Sequence, residues 1–428
     1  MSRLKTNIGL FGFGEVGQAF HDVLQQTPDA PALIRSIVVR RKDKPRKPVS
    51  LPITTDPEYI LNDPSIDLVV EATDDADAAF SIVCRALRAG KAVVSANKKM
   101  LASHLGELQA LQKETGGVLL YEAAACASIP IIRNLEAYFE QEALLRIEGI
   151  VNGSTNYILS RMQDEGLSFD EALKQAQSLG YAESDPSLDT HGWDAAYKLC
   201  ILALHAFGLE LCAGDVLRLG IEQLNPAAVQ FARDKGWQIK LLASATVCDG
   251  QLRPFVLPAF VRSDHPLHQT DGVLNGVCLQ TAFAEAQFYR GRGAGGKATA
   301  SALLADVLAW QRGFRYAYPK RQAAARPKVA SDFPLRIHLA VSSGEELPVH
   351  AFDSVEVLHR EGERGWLLGT IGSARLQTEP WFGDPRYGLV LMPAQALQQQ
   401  APDGEQEPEA VSGFGTGVSA GMPYLCAV

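Results

Sequence analysis

The stretch that decides the fold lies at the start of the chain, where residues 7–26 read NIGLFGFGEVGQAFHDVLQQ. An apolar run leads into Gly12, Gly14 and Gly17, which have G-x-G-x-x-G spacing, and a helical pattern follows directly. A strand that turns through such glycines into a helix is typical of dinucleotide binding. The first glycine makes the turn, the second lets the backbone approach a pyrophosphate, and the third lets helix and strand pack closely. The helix amino terminus adds partial positive charge for phosphate.

The residues around this motif indicate which dinucleotide binds. We expect the cofactor to contact the turn and the first helical residues, namely Gly12, Gly14, Glu15, Val16 and Gly17. The second predicted strand is followed by Arg40 and Arg41. An acid there would bind the ribose 2′-hydroxyl of NAD, whereas an arginine accommodates the 2′-phosphate of NADP. The sequence therefore predicts that NADP(H) is preferred over NAD(H); a plain structural turn and ordinary exposed loop charges are the alternative interpretations.

Strands and helices alternate up to about residue 130. Residues 66–73 (IDLVVEAT) and 91–98 (KAVVSANK) have the pattern of buried strands, and a helical pattern between them stops at Gly90. Such alternation predicts a parallel sheet covered by helices on both faces. We therefore predict an α/β protein in which residues 1–130 form a Rossmann-type dinucleotide-binding domain, completed by a returning helix at about 297–320.

The pattern changes in the rest of the chain. Residues 131–296 mix helices and strands and predict an α+β domain for substrate binding and dimerisation; one of its helices begins at Ser168, with Glu171 at the capping-box position. Three short apolar runs after an Ala/Arg/Pro-rich linker predict a small β-rich region at 330–428, without a clear βαββαβ order. Its polar tail, residues 397–417, is predicted to be mobile.

Composition excludes several classes of protein. A net charge of -9 argues against a nucleic-acid-binding face, so we expect no nucleic-acid partner. No apolar run reaches the roughly 18–20 residues needed to cross a bilayer, so we expect no membrane partner. The seven cysteines are scattered without a C-x-x-C pair, which argues against a disulfide framework or a zinc site. The simplest compartment is the cytoplasm.

The segment at 180–199, GYAESDPSLDTHGWDAAYKL, gathers four acids and one lysine. Asp194 and Lys198 are four residues apart and share one face of a helix that begins near Trp193. Taken alone, this pair is typical of a solvated surface helix. The segment acquires a functional interpretation only from the rest of the chain.

Four segments occur in the order found in one enzyme family. They read GKAVVSANKKMLA at 90–102, EGIVNGSTNYILSRM at 148–162, AQSLGYAESDPSLDTHGWDAAYKLCILA at 176–203 and GAGGKATASALLADVL at 293–308. With the glycine motif, the chain resembles homoserine dehydrogenase over roughly residues 5–320. The resemblance implies reduction of L-aspartate 4-semialdehyde to L-homoserine with NAD(P)H, on the route to threonine and methionine. It also implies a small-molecule substrate and a homodimer.

The resemblance assigns roles to particular residues. Lys198 would lie by the substrate carbonyl oxygen and stabilise or protonate the alkoxide, Asp194 would fix that lysine, and Lys98 would be the second lysine of the site. Substrate binding is implied for Glu183, Asp189, Tyr181 and Ser154, and cofactor binding for Lys98 and Gly295. The loop at 152–155 offers further amides and hydroxyls to substrate or nicotinamide.

The family also has a loop that binds a monovalent cation. Its counterpart here is residues 122–130, EAAACASIP, and the resemblance implies Na⁺ ligation by Glu122 and by the carbonyls of Ala125, Ala127 and Ile129. Both glycines of the family loop are replaced, which restricts φ, while carbonyl ligands survive side-chain changes. The sequence leaves open whether the cation site is retained.

Three other functions remain as alternatives. Cys126 would serve as the thioester-forming nucleophile of a phosphorylating semialdehyde dehydrogenase. Residues 291–299, GRGAGGKAT, nearly match a P-loop, but Ala298 stands where a Ser or Thr would bind Mg²⁺. A non-enzymatic NAD(P)-binding sensor would need only the glycine motif. Many family members end in a threonine-binding ACT domain, and the pattern after residue 330 does not predict one.

Overall fold

The computed structural model describes residues 5–27, 29–341, 344–361 and 364–393. The tail predicted to be mobile, residues 397–417, lies outside them. Within these ranges, no helix has the length and apolar character needed to span a bilayer.

The amino-terminal part of the chain forms a parallel sheet. Its strands are β1 Thr6–Phe11, β2 Ala32–Val38, β3 Ile53–Thr54, β4 Leu68–Glu71, β5 Ala92–Ser95 and β6 Leu119–Leu120. All neighbours pair in parallel in the order β3-β2-β1-β4-β5-β6. This is the doubly wound order of dinucleotide-binding domains, and it confirms the predicted α/β fold class.

Helices cover the faces of this sheet. They are α1 Glu15–Gln25, α2 Glu58–Leu61, α3 Ala76–Arg88, α4 Lys98–Thr115 and α5 Ala123–Cys126. The predicted helix end at Gly90 is confirmed, since α3 stops just before this residue, which has φ +74°. Asn97 caps α4 by accepting the Met100 N–H at 3.0 Å. The strand predicted over residues 91–98 therefore ends earlier, at Ser95, and the cap makes Lys98 the first residue of α4, at the carboxyl edge of the sheet.

The middle of the chain forms most of a second sheet, which has parallel and antiparallel pairs, and a layer of helices packed on it. Its strands are β7 Leu144–Ile150, β8 Leu217–Arg218, β9 Gln238–Cys248, β10 Gln251–Val261, β11 Leu274–Thr281 and β12 Ala286–Arg292. Its helices are α6 Ile131–Arg133, α7 Gly153–Asp164, α8 Phe169–Ser178, α9 Ser187–Thr190, α10 Trp193–Phe207 and α11 Pro226–Lys235, with a π-helical turn at Asn134–Tyr138. The capping box predicted at Ser168 and Glu171 is present at the start of α8.

The chain then returns to the first sheet. Helix α12, Gly296–Trp310, packs against α1, and α13 follows at Pro319–Gln322. Beyond α12, the Gln311 side chain donates to the Thr6 hydroxyl and the Pro31 carbonyl, both at 2.6 Å. A helix within the segment predicted at 297–320 therefore lies on the dinucleotide-binding part.

The carboxyl-terminal strands continue the second sheet. They are β13 Lys328–Val329, β14 Pro334–Val341, β15 Ser354–Glu361, β16 Arg364–Gly372 and β17 Tyr387–Leu391, with α14 at Ser373–Thr378. The second sheet has 11 strands in the part of the chain that the structure describes, because β17 joins β10 in parallel at Leu391 and Ala259. The predicted β-rich region is therefore not separate in the sheet, and the domain limits stay a prediction.

The last strands have an arrangement that the sequence did not predict. Along the sheet they run β17-β14-β16-β15, and α14 lies between β16 and β17 in the chain. Among the described residues between β14 and β15, where a βαββαβ unit would have its first helix, the helical element is a 3-10 turn at Val349–Ala351. The missing helical periodicity explains why the pattern was not recognisable from sequence.

Candidate active site

The glycine turn opens a cleft of about 540 Å³ at the carboxyl ends of β1, β2 and β4. Gly12 has φ +89°, and a Cβ on it would lie 2.2 Å from the Ala72 carbonyl oxygen. A Cβ on Gly14 would meet no atom within 4 Å, so this backbone is open to a ligand. A Cβ on Gly17 would lie 2.2 Å from the Gly12 carbonyl oxygen, which explains the close packing of α1. The three positions have the geometry that a bound pyrophosphate requires.

Glu15 and Val16 also line this cleft. The Glu15 carboxylate accepts the Gly296 N–H at 2.9 Å, so it lies at the amino terminus of α12. Gly295, with φ +98°, precedes α12 and lines the adjoining cavity. A P-loop would hold phosphate at this helix terminus, where a carboxylate now accepts the N–H, and Gly291 belongs to β12. The P-loop interpretation is therefore not supported.

Basic side chains also line the cleft. The predicted Arg40 and Arg41 are both there, together with Lys44 and Arg46, which the sequence interpretation missed. The Arg40 guanidinium lies 3.4 Å from the Asp75 carboxylate and its side chain is 77% exposed, so this ion pair is weak. The run RKDKPRK at 41–47 was the available signal for the two missed cations.

A second cavity of about 530 Å³ adjoins the cleft. Val16, Thr73 and Glu183 line both spaces, so they are continuous. The predicted residues that line this cavity are Val16, Lys98, Glu183, Asp189, Asp194, Lys198 and Gly295. Residues from distant parts of the chain are thus brought to one space beside the glycine turn.

Asp194 is the centre of this cavity's charge network. Its Oδ1 lies 2.8 Å from the Lys98 ammonium, and its Oδ2 lies 2.8 Å from the Lys198 ammonium. Burial alone would raise the pKa of Asp194, but Lys198 and Lys98 outweigh it and hold that pKa well below its usual range. In return, the Asp194 charge raises the pKa of Lys98. Lys98 and Asp194 therefore stabilise each other in their charged forms.

The β7–α7 junction completes the network. The Lys198 ammonium donates to the Val151 carbonyl at 2.7 Å. The Asn152 amide donates to Asp189 at 2.7 Å and to Asp194 at 2.8 Å. Burial, and next the Asp194 charge, raise the pKa of Asp189. The loop at 152–155 was noted from sequence, but the bridging amide was not foreseen.

Two predicted substrate-binding residues are not among those that line the cavity. The Ser154 hydroxyl donates to the Tyr181 carbonyl at 2.6 Å, and the Tyr181 ring lies 5.0 Å from that of Tyr157. These contacts tie the loop before Glu183 to α7. Direct contact of Ser154 and Tyr181 with substrate stays a prediction.

Other lining residues were missed, although a signal for two of them existed. Thr73 and Asn97 follow β4 and β5, where ligands of parallel sheets bind. The buried Glu71 carboxylate accepts the Thr73 N–H at 2.7 Å and the Ser95 hydroxyl at 2.6 Å. Burial raises the pKa of Glu71. This carboxyl group therefore holds Thr73, which lines both spaces, against the end of β5.

The predicted cation loop contains a buried carboxyl group. Glu122 accepts the N–H groups of Ile132 and Arg133 at 2.9 and 2.8 Å. Burial and the nearby Asp306 raise the pKa of Glu122 to about 8. A buried carboxylate whose ionisation is this unfavourable fits the place of a bound cation.

The backbone of this loop keeps a conformation that favours glycine. Ala127, at the position of one family glycine, has φ +41°, which is strained for alanine. The predicted ligands Ala125 and Ile129 are buried beside it. Within the described ranges, no group of three or more His, Cys, Asp and Glu could hold a metal ion, so a site here would depend on carbonyl oxygens.

Cys126 does not fit the role of a nucleophile. Its side chain is fully buried, and burial raises the pKa of the thiol to about 12. The thiolate is the reactive form, and it is disfavoured in this environment. The interpretation as a phosphorylating semialdehyde dehydrogenase is therefore not supported.

Known proteins resemble the chain over most of its length. The family model for homoserine dehydrogenase matches residues 130–308, and the model for the NAD binding domain of homoserine dehydrogenase matches residues 12–122. A homoserine dehydrogenase of Synechocystis is 41% identical over 318 residues, which are 71% of this chain and 73% of that relative. A homoserine dehydrogenase of Pseudomonas aeruginosa is 32% identical over 419 residues, which are 95% and 96% of the two chains.

A solved structure agrees with the fold. The crystal structure of a homoserine dehydrogenase from Thiobacillus denitrificans has a TM-score of 0.80 at 29% identity and covers 91% of this chain and 98% of its own. A non-enzymatic sensor is not supported by these relatives. Likeness over nearly the whole length, with both parts of the chain matched, shows that this chain belongs to the homoserine dehydrogenase family and is an NAD(P)-dependent oxidoreductase.

Proposed function

We propose that this homoserine dehydrogenase prefers NADP(H) and that the lysine pair on Asp194 carries the reduction of L-aspartate 4-semialdehyde. The observation that supports the proposal most is the buried Asp194 between Lys98 and Lys198, in a cavity continuous with the dinucleotide cleft. For cofactor preference, the support is the set of four basic side chains that line the cleft: Arg40, Arg41, Lys44 and Arg46.

The cofactor site is formed by the chain's own backbone and basic residues. The open Gly14 backbone and the α1 amino terminus bind the pyrophosphate, and Arg40 binds the 2′-phosphate. When bound, the dihydronicotinamide supplies the hydride that the aldehyde carbon receives. The substrate is held by Glu183 and Asp189, whose carboxylates pair with its α-ammonium group.

Lys198 stabilises the oxygen that becomes an alkoxide. An ammonium has three donors, and Lys198 uses two of them, on Asp194 and on the Val151 carbonyl. The third is free for the substrate carbonyl oxygen, and it donates the proton as carbon accepts the hydride. The Lys198 side chain is only 7% exposed, so little water competes for that donor. Lys98, at 44% exposed, keeps two donors for substrate and cofactor.

A monovalent cation would complete the loop at 122–130. Glu122 and the carbonyls of Ala125, Ala127 and Ile129 would hold Na⁺, which supplies positive charge beside a buried carboxylate. The ion would have a structural role: it would stabilise the conformation of the loop around Cys126, whose residues Ala123 and Ala124 line the cavity. Melting the protein in Na⁺ and in a bulky organic cation tests it, as described below.

We also propose a homodimer. Besides the family resemblance, the support is three exposed aromatic side chains: Tyr138 at the end of the π-helical turn, Phe283 between β11 and β12, and Phe288 on β12, the end strand of the second sheet. The mass from sedimentation equilibrium tests it, and a monomer at micromolar concentration would contradict it. A cytoplasmic location stays a prediction from the cysteine pattern.

The decisive assay is the oxidation of NADPH in the presence of L-aspartate 4-semialdehyde, which is monitored as a decrease in NADPH absorbance. We expect turnover by the wild type and loss of kcat in Lys198→Ala at unchanged NADPH affinity. The exposed Lys174→Ala variant is the control for loss of one lysine. Turnover by Lys198→Ala equal to that of the control would remove Lys198 from the mechanism.

A further inference from the structure

One buried amide joins the two aspartates of the cavity. Asn152 is 5% exposed, and its Nδ2 donates to Asp189 Oδ1 at 2.7 Å and to Asp194 Oδ2 at 2.8 Å. Its Oδ1 accepts the N–H of Thr155 at 2.9 Å and thereby caps α7. Because only the oxygen can accept this N–H, the orientation of the amide is fixed, with both of its donors on the carboxylates.

The two carboxylates need such a donor. The carboxylates of Asp189 and Asp194 lie close together, because both accept a hydrogen bond from Asn152 Nδ2. Two negative charges this close in a buried site repel each other, which favours protonation of one carboxylate or its movement away from the other. The raised pKa of Asp189 has this repulsion as its second cause, after burial. A neutral NH₂ group satisfies both oxygens without adding a charge that would compete with the lysines for Asp194. A buried carboxylate without a hydrogen-bond donor would lower the stability of the fold by more free energy than one hydrogen bond contributes to it.

The same junction also holds the catalytic lysine. Val151, whose carbonyl accepts Lys198, directly precedes Asn152. The two residues that follow β7 therefore hold Lys198 through the Val151 carbonyl and Asp194 through the Asn152 side chain. Displacement of this junction would alter both partners of the Asp194–Lys198 pair together.

We propose that Asn152 is the positioning residue of this active site: its amide fixes Asp189 for the substrate ammonium and Asp194 for the two lysines. This inference rests on the proposed roles of Asp194 and Lys198. It assigns no chemical step to Asn152, which acts through the groups it holds. Removal of its donors should therefore affect both KM, through Asp189, and kcat, through Asp194.

Asn152→Asp tests the inference with little structural change. Aspartate caps a helix as well as asparagine and keeps the acceptor for Thr155, but when ionised it has no donor for the two carboxylates. We expect kcat at pH 8 to fall roughly 10- to 100-fold, the range typical of residues that orient a functional group, and KM for the semialdehyde to rise. NADPH affinity should stay near that of the wild type.

The pH profile separates positioning from capping. The Asn152 amide contacts Asp189 of α9 and Asp194 of α10. Asp194 in turn pairs with Lys198 of α10 and Lys98 of α4, and the Cys126 thiol of α5 lies near Asp194 and Lys198. In Asn152→Asp the introduced carboxyl group gains a donor when it is protonated, and this donor can bind one of the two carboxylates. The ratio of the variant's kcat to the wild-type kcat should therefore rise as pH falls. A cap alone would give no such recovery, because the acceptor for Thr155 is present in both forms.

Asn225→Asp is the matched control. Asn225 caps α11 by accepting the Ala228 N–H at 3.0 Å, and its amide donates to the Ala340 carbonyl at 3.1 Å, away from both cavities. This control should lower thermal stability and leave kcat, KM and the pH profile unchanged. If Asn152→Asp does not fold, kcat and KM of Asn152→Ser are measured instead. Serine keeps a cap and one donor, so it should lose less kcat, and its kcat relative to the wild type should not recover as pH falls.

The outcomes distinguish the inference from the mechanism beneath it. Loss of kcat in both Lys198→Ala and the Asn152 variant, with recovery of Asn152→Asp at low pH, supports both. Loss in Lys198→Ala with an Asn152 variant that behaves like Asn225→Asp overturns the positioning role and leaves the mechanism intact. Wild-type kcat in Lys198→Ala overturns the proposed catalytic role itself.

Discussion

Lys98, the first residue of α4, and Asp194, in the first turn of α10, form an ion pair of 2.8 Å that joins the two halves of the molecule. Lys98 stands at the edge of the parallel sheet, whereas Asp194 belongs to the helical layer over the second sheet. The same carboxylate binds Lys198 from its own helix. The arrangement of the active site therefore depends on how these two parts of the chain pack together.

The first prediction concerns Lys198. Hydride addition puts negative charge on the carbonyl oxygen, so Lys198→Ala should lower kcat by about 10²–10⁴-fold, as is typical for loss of a positioned acid–base group. Asp194→Ala should have a similar effect, and the double variant should lose little more, because the two residues act as a unit. Steady-state kinetics of the three variants check this. Losses that simply add would show that Asp194 acts independently of Lys198.

The second prediction concerns Glu183, which lines both the cleft and the cavity. If it binds the α-ammonium group equally in ground and transition state, Glu183→Ala should raise KM for the semialdehyde and leave kcat nearly unchanged. The exposed Asp170→Ala variant, on α8, controls for the loss of one negative charge. A fall in kcat at constant KM would instead place Glu183 at the reacting atoms.

The third prediction concerns cofactor preference. A charge-assisted hydrogen bond to the 2′-phosphate contributes about 1.5–3 kcal/mol, so Arg40→Asp should lower kcat/KM for NADPH by roughly 10- to 100-fold. The efficiency with NADH should fall less or rise, because the new acid can bind the 2′-hydroxyl. Arg88→Asp makes the same charge change on an exposed residue outside the cleft and should leave the ratio unchanged. A wild type that uses NADH as well as NADPH would contradict the proposal.

The fourth prediction links pH, Na⁺ and stability at Glu122. The pKa of this carboxyl group is about 8 in the folded chain against an ordinary value of 4.5. Between these pH values the folded state keeps a proton that the unfolded state releases, so stability without Na⁺ should fall as pH rises towards 8. Na⁺ binds the ionised carboxylate, so it should raise Tm more at pH 8.5 than at pH 6.

Glu122→Gln provides the control for this prediction. It cannot ionise, so its stability should depend less on pH over this range and should not respond to Na⁺. Thermal melting in NaCl and in tetramethylammonium chloride, at equal ionic strength, separates cation binding from screening. Equal Tm values in the two salts at pH 8.5 would show that the loop binds no Na⁺.

The sequence by itself determined the parallel sheet and its ligand edge. Gly12, Gly14 and Gly17 follow a buried strand at the spacing of the dinucleotide-binding turn. The positive φ of Gly12 and the lack of room for a Cβ at Gly12 and Gly17 are steric requirements that this short stretch meets by itself. The helix end at Gly90 and the capping box at Ser168 and Glu171 likewise follow from neighbouring residues alone. These features need only local interactions, so one stretch of chain carries the information.

Only the tertiary structure decided how distant groups combine. The bridge from Asn152 to Asp189 and Asp194, the contact of Glu15 with α12 and the continuation of the second sheet through β17 all join residues far apart in the chain. No local pattern specifies them, because a hydrogen-bond donor such as Asn152 has the same appearance in sequence whether it only caps a helix or also holds two carboxylates. The packing of the folded chain selects its partners. Once a polar group is buried away from water, it must form its hydrogen bonds with the residues that the fold places beside it.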